Sequence, residues 1–193
     1  MANNCDYELK AVSKDKSSLE RLVKIMKYED DEFYINRCFN ACPSDIKEEE
    51  GGYFSISIFG DCAWSCGLWF SVDGDNPSNK IVTGRDSEGR DIYGTAHYSA
   101  FPHICKVLGI SLELYSQEPG CQFQEHGIVN PISSGIERVD WCGWSRSEVE
   151  EMDESERLDY GIDEAEYGYG DDYGVFMSAS ELVEFVFDGE SEV

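Results

Sequence analysis

The chain has 193 residues, 41% hydrophobic and 13% aromatic, and its 40 acidic residues against 15 basic ones give a formal net charge of −25. The length suits one domain, or one domain with an addition, and the aromatic content excludes a wholly disordered chain. The negative surplus excludes nucleic acid and anionic membranes as direct partners, because both are bound through clustered Lys and Arg. Such charge favours a basic protein surface as the partner.

Signals for export are missing. The amino-terminal MANNCDYELK has no basic region followed by an apolar run, and no stretch approaches the roughly 18 apolar residues of a membrane span. The sequence therefore predicts a cytoplasmic protein. In that compartment the eight cysteines are expected to be reduced thiols rather than a disulfide framework.

The predicted elements begin with a strand over residues 5–12, in which Tyr7 and Leu9 alternate with polar residues. A helix is expected next, with Ser13 or Ser17 as its N-cap. Its apolar positions recur at helical spacing and share one face: Leu19, Leu22, Val23 and Met26.

A pair of strands is predicted in the middle of the chain. YFSISIFG, residues 53–60, alternates strictly between apolar and small polar side chains, and CGLWFSV, residues 66–72, is expected to be its antiparallel partner. Residues 73–95 are rich in Asp, Gly, Asn and Ser, which predicts a surface excursion with a short hairpin near Ile81 and Val82.

A second helix is predicted over 98–108, with Ser99 as its N-cap and Gly109 as its stop, followed by a strand over 110–116. The order β-α-β-β-α-β predicts an α+β fold of the ferredoxin-like type, an antiparallel sheet with two helices on one face. The other face of that sheet would then be free for an extension or a partner, which leaves open a homodimer.

Two segments suggest a family. SISIFGDCAWSCGLWF and HICKVLGISLELYSQEPGCQFQEHGIVN resemble the aromatic strand end and the helix, strand, Glu-x-Gly turn and hairpin of the YubB-type ferredoxin-like family carried by plasmids and phages. The resemblance covers roughly residues 5–130, with Cys66-Gly67 where the family usually has prolines. It implies a mobile-element origin and the ferredoxin-like fold, and brings no established catalytic residues. We therefore expect a core over 1–130 and an acidic extension over 131–193 docked on it.

The last third of the chain carries most of the charge. Residues 148–193 contain 17 acidic residues and one basic residue, whereas every lysine lies at or before Lys106. Aromatic and apolar residues are interleaved with the acidic ones, which is atypical of a disordered tail. Two capping boxes, Ser147-x-x-Glu150 and Ser178-x-x-Glu181, predict ordered helices.

In the first of these helices, acidic residues at three- and four-residue spacing would stand about 5–6 Å apart, a separation of the order of a phosphate row. The sequence therefore predicts a file of carboxylates flanked by aromatic anchors. The candidate contacts are Glu148, Glu150, Glu151, Asp153, Glu154, Asp159, Asp163, Glu164, Glu166, Asp171 and Asp172, with Trp141, Trp144 and Tyr167 as the anchors.

These features suggest a phage or mobile-element inhibitor of a host nucleic-acid-binding defence protein, such as a Cas effector or a restriction enzyme. It would act as an acidic DNA mimic in a basic groove, an anti-CRISPR or anti-restriction role that needs no catalysis and no cofactor. The alternatives are a regulatory or structural binding module whose acidity serves solubility, and a zinc protein.

The zinc alternative depends on two cysteine pairs, Cys38-x3-Cys42 and Cys62-x3-Cys66, whose spacing falls in the range of zinc sites. Buried thiols explain these pairs better, because the second pair flanks an apolar strand junction. The three histidines show no metalloprotease spacing, and neither a phosphate-binding loop with Lys nor a Gly-x-Ser-x-Gly elbow occurs. The sequence therefore predicts a protein that is not an enzyme.

Overall fold

A computed structural model describes residues 4–63, 65–70, 76–118, 123–140, 146–160 and 173–186. Its strands are β1 (Asn4–Ser13), β2 (Phe33–Tyr34), β3 (Cys38–Pro43), β4 (Lys47–Glu49), β5 (Tyr53–Ala63), β6 (Asn76–Arg85), β7 (Asp91–Tyr98), β8 (Ser111–Glu118), β9 (Phe123–Val129) and β10 (Ser134–Asp140). Its α-helices are α1 (Lys16–Met26), α2 (Phe101–Leu108), α3 (Arg146–Glu151), α4 (Glu154–Tyr160) and α5 (Ala179–Glu184).

Seven of these strands form one antiparallel sheet in the order β10-β9-β8-β1-β5-β3, with β4 also paired to β5. β1 lies near the middle, and Leu9 stands opposite both Ile58 of β5 and Leu114 of β8. All three side chains are fully buried. The period-two alternation of these strands therefore directs one face of the sheet into the main core.

The expected ferredoxin-like α+β fold is wrong. The described residues are mostly β, with a seven-stranded antiparallel sheet and only small helices, of which the longest has 11 residues. Three further strands widen the sheet: no strand was predicted for β3 or β10, and β9 lies in the segment for which only the family resemblance implied a hairpin. The boundary proposed at residue 130 falls between β9 and β10, which pair along their whole length from Val129 opposite Ser134 to Phe123 opposite Asp140.

The expected strand over 66–72 is also wrong, because Cys66–Phe70 form a 3-10 helix. The backbone amide of Cys66 donates to Glu125 Oε2 at 2.9 Å, and that of Gly67 donates to Ser65 Oγ at 2.9 Å. Side-chain oxygens therefore accept the hydrogen bonds that these two backbone amides, in a strand, would donate to carbonyls of a neighbouring strand.

Aromatic packing then fixes the 3-10 helix in the core. Trp69 is buried between Tyr7 and Phe101, with ring centroids 5.2 and 5.7 Å away, and its indole donates to the carbonyl of Asn36. Phe70 meets Phe101 at 5.7 Å. The 3-10 helix consequently packs against β1, against α2 and against the segment that follows β2, and these parts share one core.

The N-caps of α1 and α2 are not the residues that the sequence predicted. The N-cap of α1 is Asp15, which accepts from the amide of Ser17, while Ser13 Oγ donates to the carbonyl of Gly109. The N-cap of α2 is Ala100 rather than Ser99, although Gly109 ends the helix in the left-handed conformation as predicted. Apolar side chains of α1 pack into the main core: Leu19, Leu22, Ile25 and Met26.

A second, three-stranded sheet has the order β2-β7-β6. The hairpin expected near Ile81 and Val82 is present and spans β6 and β7. It joins the rest of the protein through β2, where Phe33 and Tyr34 pair in parallel with His97 and Tyr98.

The opposite face of the large sheet is covered over its middle strands by residues 173–186. Ala179 and Leu182 of α5 are buried there with Val12 of β1 and Ile128 of β9. The predicted capping box at Ser178 and Glu181 is confirmed, with both reciprocal hydrogen bonds present. None of the helices in the described part of the chain is long and apolar enough to cross a membrane.

Candidate partner-binding surface

The acidic segment that the sequence predicted as one helix forms two short helices, α3 and α4, separated at Met152 and Asp153. The predicted N-cap Ser147 lies inside α3, which begins at Arg146. The rows of carboxylates expected along one continuous helix are therefore interrupted, and the acidic residues are distributed over the outer surface of a helical pair.

Three contacts fix this pair, which we call the acidic helical pair (residues 146–160). Val149 of α3 is fully buried, and the Arg157 guanidinium donates from Nε to the carbonyl of Val149 at 3.0 Å. At the start of α4, Asp153 Oδ1 accepts from the Glu156 amide at 2.9 Å, and Glu156 Oε2 accepts from the Asp153 amide at 3.0 Å. This reciprocal arrangement is a capping box, so two of the carboxylates have fixed positions.

The acidic helical pair presents its charge to solvent. It contains seven acidic and two basic residues, and all seven acidic residues are exposed. Six of them are predicted contacts, all within these two short helices: Glu148, Glu150, Glu151, Asp153, Glu154 and Asp159. The seventh is Glu156, whose carboxylate completes the capping box.

The other predicted contacts lie outside the described residues. These are Asp163, Glu164, Glu166, Asp171 and Asp172, together with the proposed aromatic anchors Trp141, Trp144 and Tyr167. The described part of the candidate surface is therefore the acidic helical pair alone.

Two exposed apolar side chains on α4 were not among the predicted anchors. Leu158 is 75% exposed and Tyr160 is 60% exposed, and both lie among the carboxylates. The sequence contained a signal for this: within α4, Leu158 has no apolar neighbour at three- or four-residue spacing, so it has no apolar face to share. Tyrosine is enriched in binding hot spots, so Tyr160 is the better candidate anchor of the two.

Residues 173–178 lie on the sheet and are held through their backbone. Lys10 Nζ donates to the Met177 carbonyl at 2.9 Å, and the Met177 amide donates to Glu113 Oε2 at 2.8 Å. Tyr115 donates to the carbonyl of Val175 at 3.3 Å and lies 5.4 Å from the ring of Phe176. The carboxyl-terminal side of the acidic third is therefore fixed to the core by polar and aromatic contacts.

The other oxygen of Glu113 is paired as well. His126 Nε2 lies 2.9 Å from Glu113 Oε1, and the imidazole stacks on Tyr115 with ring centroids 4.3 Å apart. Polar side chains of this face, which the alternating pattern would place in water, thus support the covering segment.

Four cysteines were the candidates for zinc. Cys62 and Cys66 are buried with their sulfurs 3.4 Å apart, Cys38 is buried with its sulfur 3.1 Å from the Tyr7 hydroxyl, and Cys42 is exposed. Within the described ranges no group of three or more His, Cys, Asp and Glu side chains could hold a metal ion.

Burial favours the neutral form of two of these thiols. Burial raises the pKa of Cys38 to about 11, and burial likewise raises the pKa of the Cys66 thiol. The arrangement fits small buried side chains in an apolar core.

Comparison of the chain with protein-family models, with curated proteins and with solved structures finds no match. The functional argument therefore depends on the geometry of the acidic helical pair and on the distribution of charge along the chain.

Proposed function

We propose that the protein is an inhibitor from a phage or another mobile element, which binds a host nucleic-acid-binding defence protein through the acidic helical pair. The target class is a Cas effector or a restriction enzyme with a basic groove, and the role is anti-CRISPR or anti-restriction. The observation that carries this proposal is a set of exposed carboxylates on helices anchored by Val149 and by the capping box at Asp153 and Glu156.

Anchoring matters because it lowers the entropic cost of binding. A carboxylate that is already ordered loses less side-chain freedom when it meets an Arg or Lys than one on a mobile tail. Neighbouring residues at three- and four-residue spacing within each helix lie about 5–6 Å apart, so several can face basic side chains at once. Leu158 and Tyr160 supply apolar contact area between these charges.

The mechanism is occupation of the groove in a stoichiometric complex. Carboxylates take the positions of phosphates opposite basic side chains, and the net charge of −25 accelerates encounter with a basic surface. Such a complex weakens as salt rises, because the Debye length falls from about 10 Å at 0.1 M to about 3 Å at 1 M.

A competition assay tests the proposal. The full chain competes with duplex DNA for purified Cas nucleases and restriction enzymes, and DNA release is followed by fluorescence anisotropy. The test variant neutralises five exposed residues and keeps the capping pair Asp153 and Glu156 intact, with the substitutions Glu148→Gln, Glu150→Gln, Glu151→Gln, Glu154→Gln and Asp159→Asn.

A matched control makes the same change in charge elsewhere on the surface. It neutralises five exposed acidic residues of the amino-terminal part: Glu20→Gln, Glu29→Gln, Asp45→Asn, Glu48→Gln and Glu50→Gln. We expect the test variant to lose inhibition and the control to keep most of it. Equal loss in both variants would mean that only total charge matters, and full inhibition by the test variant would refute the proposed surface. If the parent displaces DNA from none of these enzymes, acidity that serves solubility explains the composition better.

A further inference from the structure

A hairpin arm extends from the protein beside the main sheet. We define the arm as residues 76–98, that is β6, β7 and the turn between them. Its base is fixed: the His97 amide donates to the Glu32 carbonyl at 3.0 Å, and Thr95 Oγ1 donates to the Asp31 carbonyl at 2.6 Å. Towards the turn the side chains are exposed on both strands, from Val82 to Arg85 and from Asp91 to Tyr93.

Apolar side chains cluster on this exposed part. Val82 is 47% exposed, Ile92 is 48% exposed and Tyr93 is 61% exposed. Val82 stands directly opposite Tyr93 in the ladder, so their side chains adjoin on one face. A two-stranded ribbon is marginally stable in water by itself. An arm of this kind gains stability when another surface covers it.

The arm is electrically neutral in a strongly acidic protein. Residues 76–98 contain three basic and three acidic residues. Each of these carboxylates is paired within the arm: Asp91 with Arg85 at 3.0 Å, and Asp86 and Glu88 with Arg90 at 2.8 and 3.1 Å. A basic groove has little electrostatic attraction to such a surface, whereas a second acidic molecule meets little repulsion there.

The edge of the sheet is poorly suited to strand addition. β6 is an edge strand, but it contains Pro77 and Lys80, and its pairing with β7 shifts register three times between Asn76 and Gly84. These features hinder continuous pairing with another strand. A partner would therefore contact the side chains of the arm rather than its backbone edge.

We propose that the arm is the surface through which two copies of this chain associate. Val82 and Tyr93, which share one face of the ribbon, pack against the same residues of the other copy around a two-fold axis, as in an isologous interface. A second copy is the fitting partner because the molecule as a whole carries −25, and two such molecules can approach closely only where the surface is neutral. This dimer does not depend on the proposed inhibitory function.

The salt dependence of the two complexes has opposite sign. The repulsion between two acidic molecules is screened by salt, so the dimer tightens as salt rises, whereas a complex with a basic groove weakens. Failure of one proposal is therefore distinguishable from failure of the other.

Sedimentation equilibrium of the full chain tests the dimer, in reducing buffer because Cys42 is exposed. We expect a monomer–dimer equilibrium whose dissociation constant falls severalfold between about 0.05 M and about 0.5 M NaCl. The variant Val82→Thr with Tyr93→Thr places a residue of high strand propensity at both positions, and should weaken the dimer at least about tenfold. The control Val107→Thr with Ile132→Thr changes exposed apolar residues outside the arm and should leave the dissociation constant unchanged.

Hydrogen exchange distinguishes loss of the dimer interface from unfolding of the arm by the two substitutions. We expect the amides of β6 and β7 to exchange more slowly as the parent is concentrated, and those of the arm variant to show no such dependence. A parent that stays monomeric at both salt concentrations, or an arm variant that dimerises as tightly as the parent, would overturn the proposal. Arm protection that requires an added target protein would also overturn it.

Discussion

Replacing Leu182 by alanine tests how the carboxyl-terminal segment is held on the sheet. Leu182 is fully buried between α5 and the sheet, in a small cluster with Val12, Ile128 and Ala179. The helix that carries it has six residues, too short to be stable without packing. Most of the stability of this segment therefore comes from the apolar cluster and from the hydrogen bonds around it.

The magnitude follows from what Leu182 loses. Leu→Ala at a buried site generally costs about 2–5 kcal/mol, and the cost falls where the surroundings can collapse. This cluster is peripheral and small, so we expect about 2–3 kcal/mol. The side-chain amide of Asn130, which donates to the carbonyls of Leu182 and Phe185 at 2.9 and 2.8 Å, continues to hold the backbone and limits the loss.

The loss should appear as local opening. In native-state hydrogen exchange, the amide of Met177 and those of α5 should exchange faster in Leu182→Ala, while amides in the β1–β5 ladder should keep the protection of the parent. Val175→Ala is the matched control, since Val175 is mostly exposed in the same segment. Equal acceleration in the β1–β5 ladder, or no change in α5, would refute the view that residues 173–186 form a separately anchored cover.

Two further predictions concern carboxylates. Glu125→Gln should lower the free energy of unfolding by about 2 kcal/mol in urea titrations, because the buried Glu125 carboxylate accepts from a backbone amide and two serine hydroxyls and an amide group cannot accept from all of them; unchanged stability would contradict this. Burial raises the pKa of Asp30, but hydrogen bonds from Arg21 and two backbone amides hold it below its ordinary value of 3.8. Asp30 therefore stabilises the fold above pH 3.8 and ceases to do so as pH falls through its lower folded pKa, so Asp30→Asn should destabilise near neutral pH and match the parent in strong acid.

The sequence was sufficient to predict those strands and helices in which apolar residues recur at the spacing of the element itself. The alternation of β1 and β5 places Leu9, Ile56 and Ile58 in the core, and the helical spacing of α1 places Leu19 and Leu22 there. The capping box at the start of α5 is equally local, since its two partners are three residues apart. In these cases the residues that decide the structure are neighbours in the chain.

The elements that were predicted wrongly depend on distant partners. Cys66–Phe70 reads as a strand because its residues are apolar and aromatic, but its conformation depends on Glu125, 59 residues away. Likewise β9 and β10 form a hairpin around Asn130, whose side chain also binds the backbone of α5. A single sequence does not reveal such pairings, so the width of the sheet and the fold class were missed.

The sequence predicted an extension docked on the core, but not the contacts that hold residues 173–178 on the sheet. Lys10 and Glu113 occupy alternate positions that a half-buried strand gives to solvent, so the alternating pattern alone assigns both side chains to water. Both use their charged ends to hold the backbone of Met177. The same side chain can point to water or to a passing backbone, and only the course of residues 173–178 decides between them.

The distribution of charge connects the two proposed interfaces. An acidic protein that must meet a basic groove benefits from long-range attraction, but the same charge opposes any contact with its own kind. The acidic helical pair has seven acidic residues against two arginines, whereas the three carboxylates of the arm are balanced by its own basic residues, among them Arg85 and Arg90. The ion pairs of the arm neutralise only the arm, so the negative electrostatic field of the rest of the molecule is unchanged. They leave a neutral surface around the exposed side chains of Val82 and Tyr93. A dimer formed there would present two acidic helical pairs, so that a target with two basic grooves could be bound with higher avidity than either site provides.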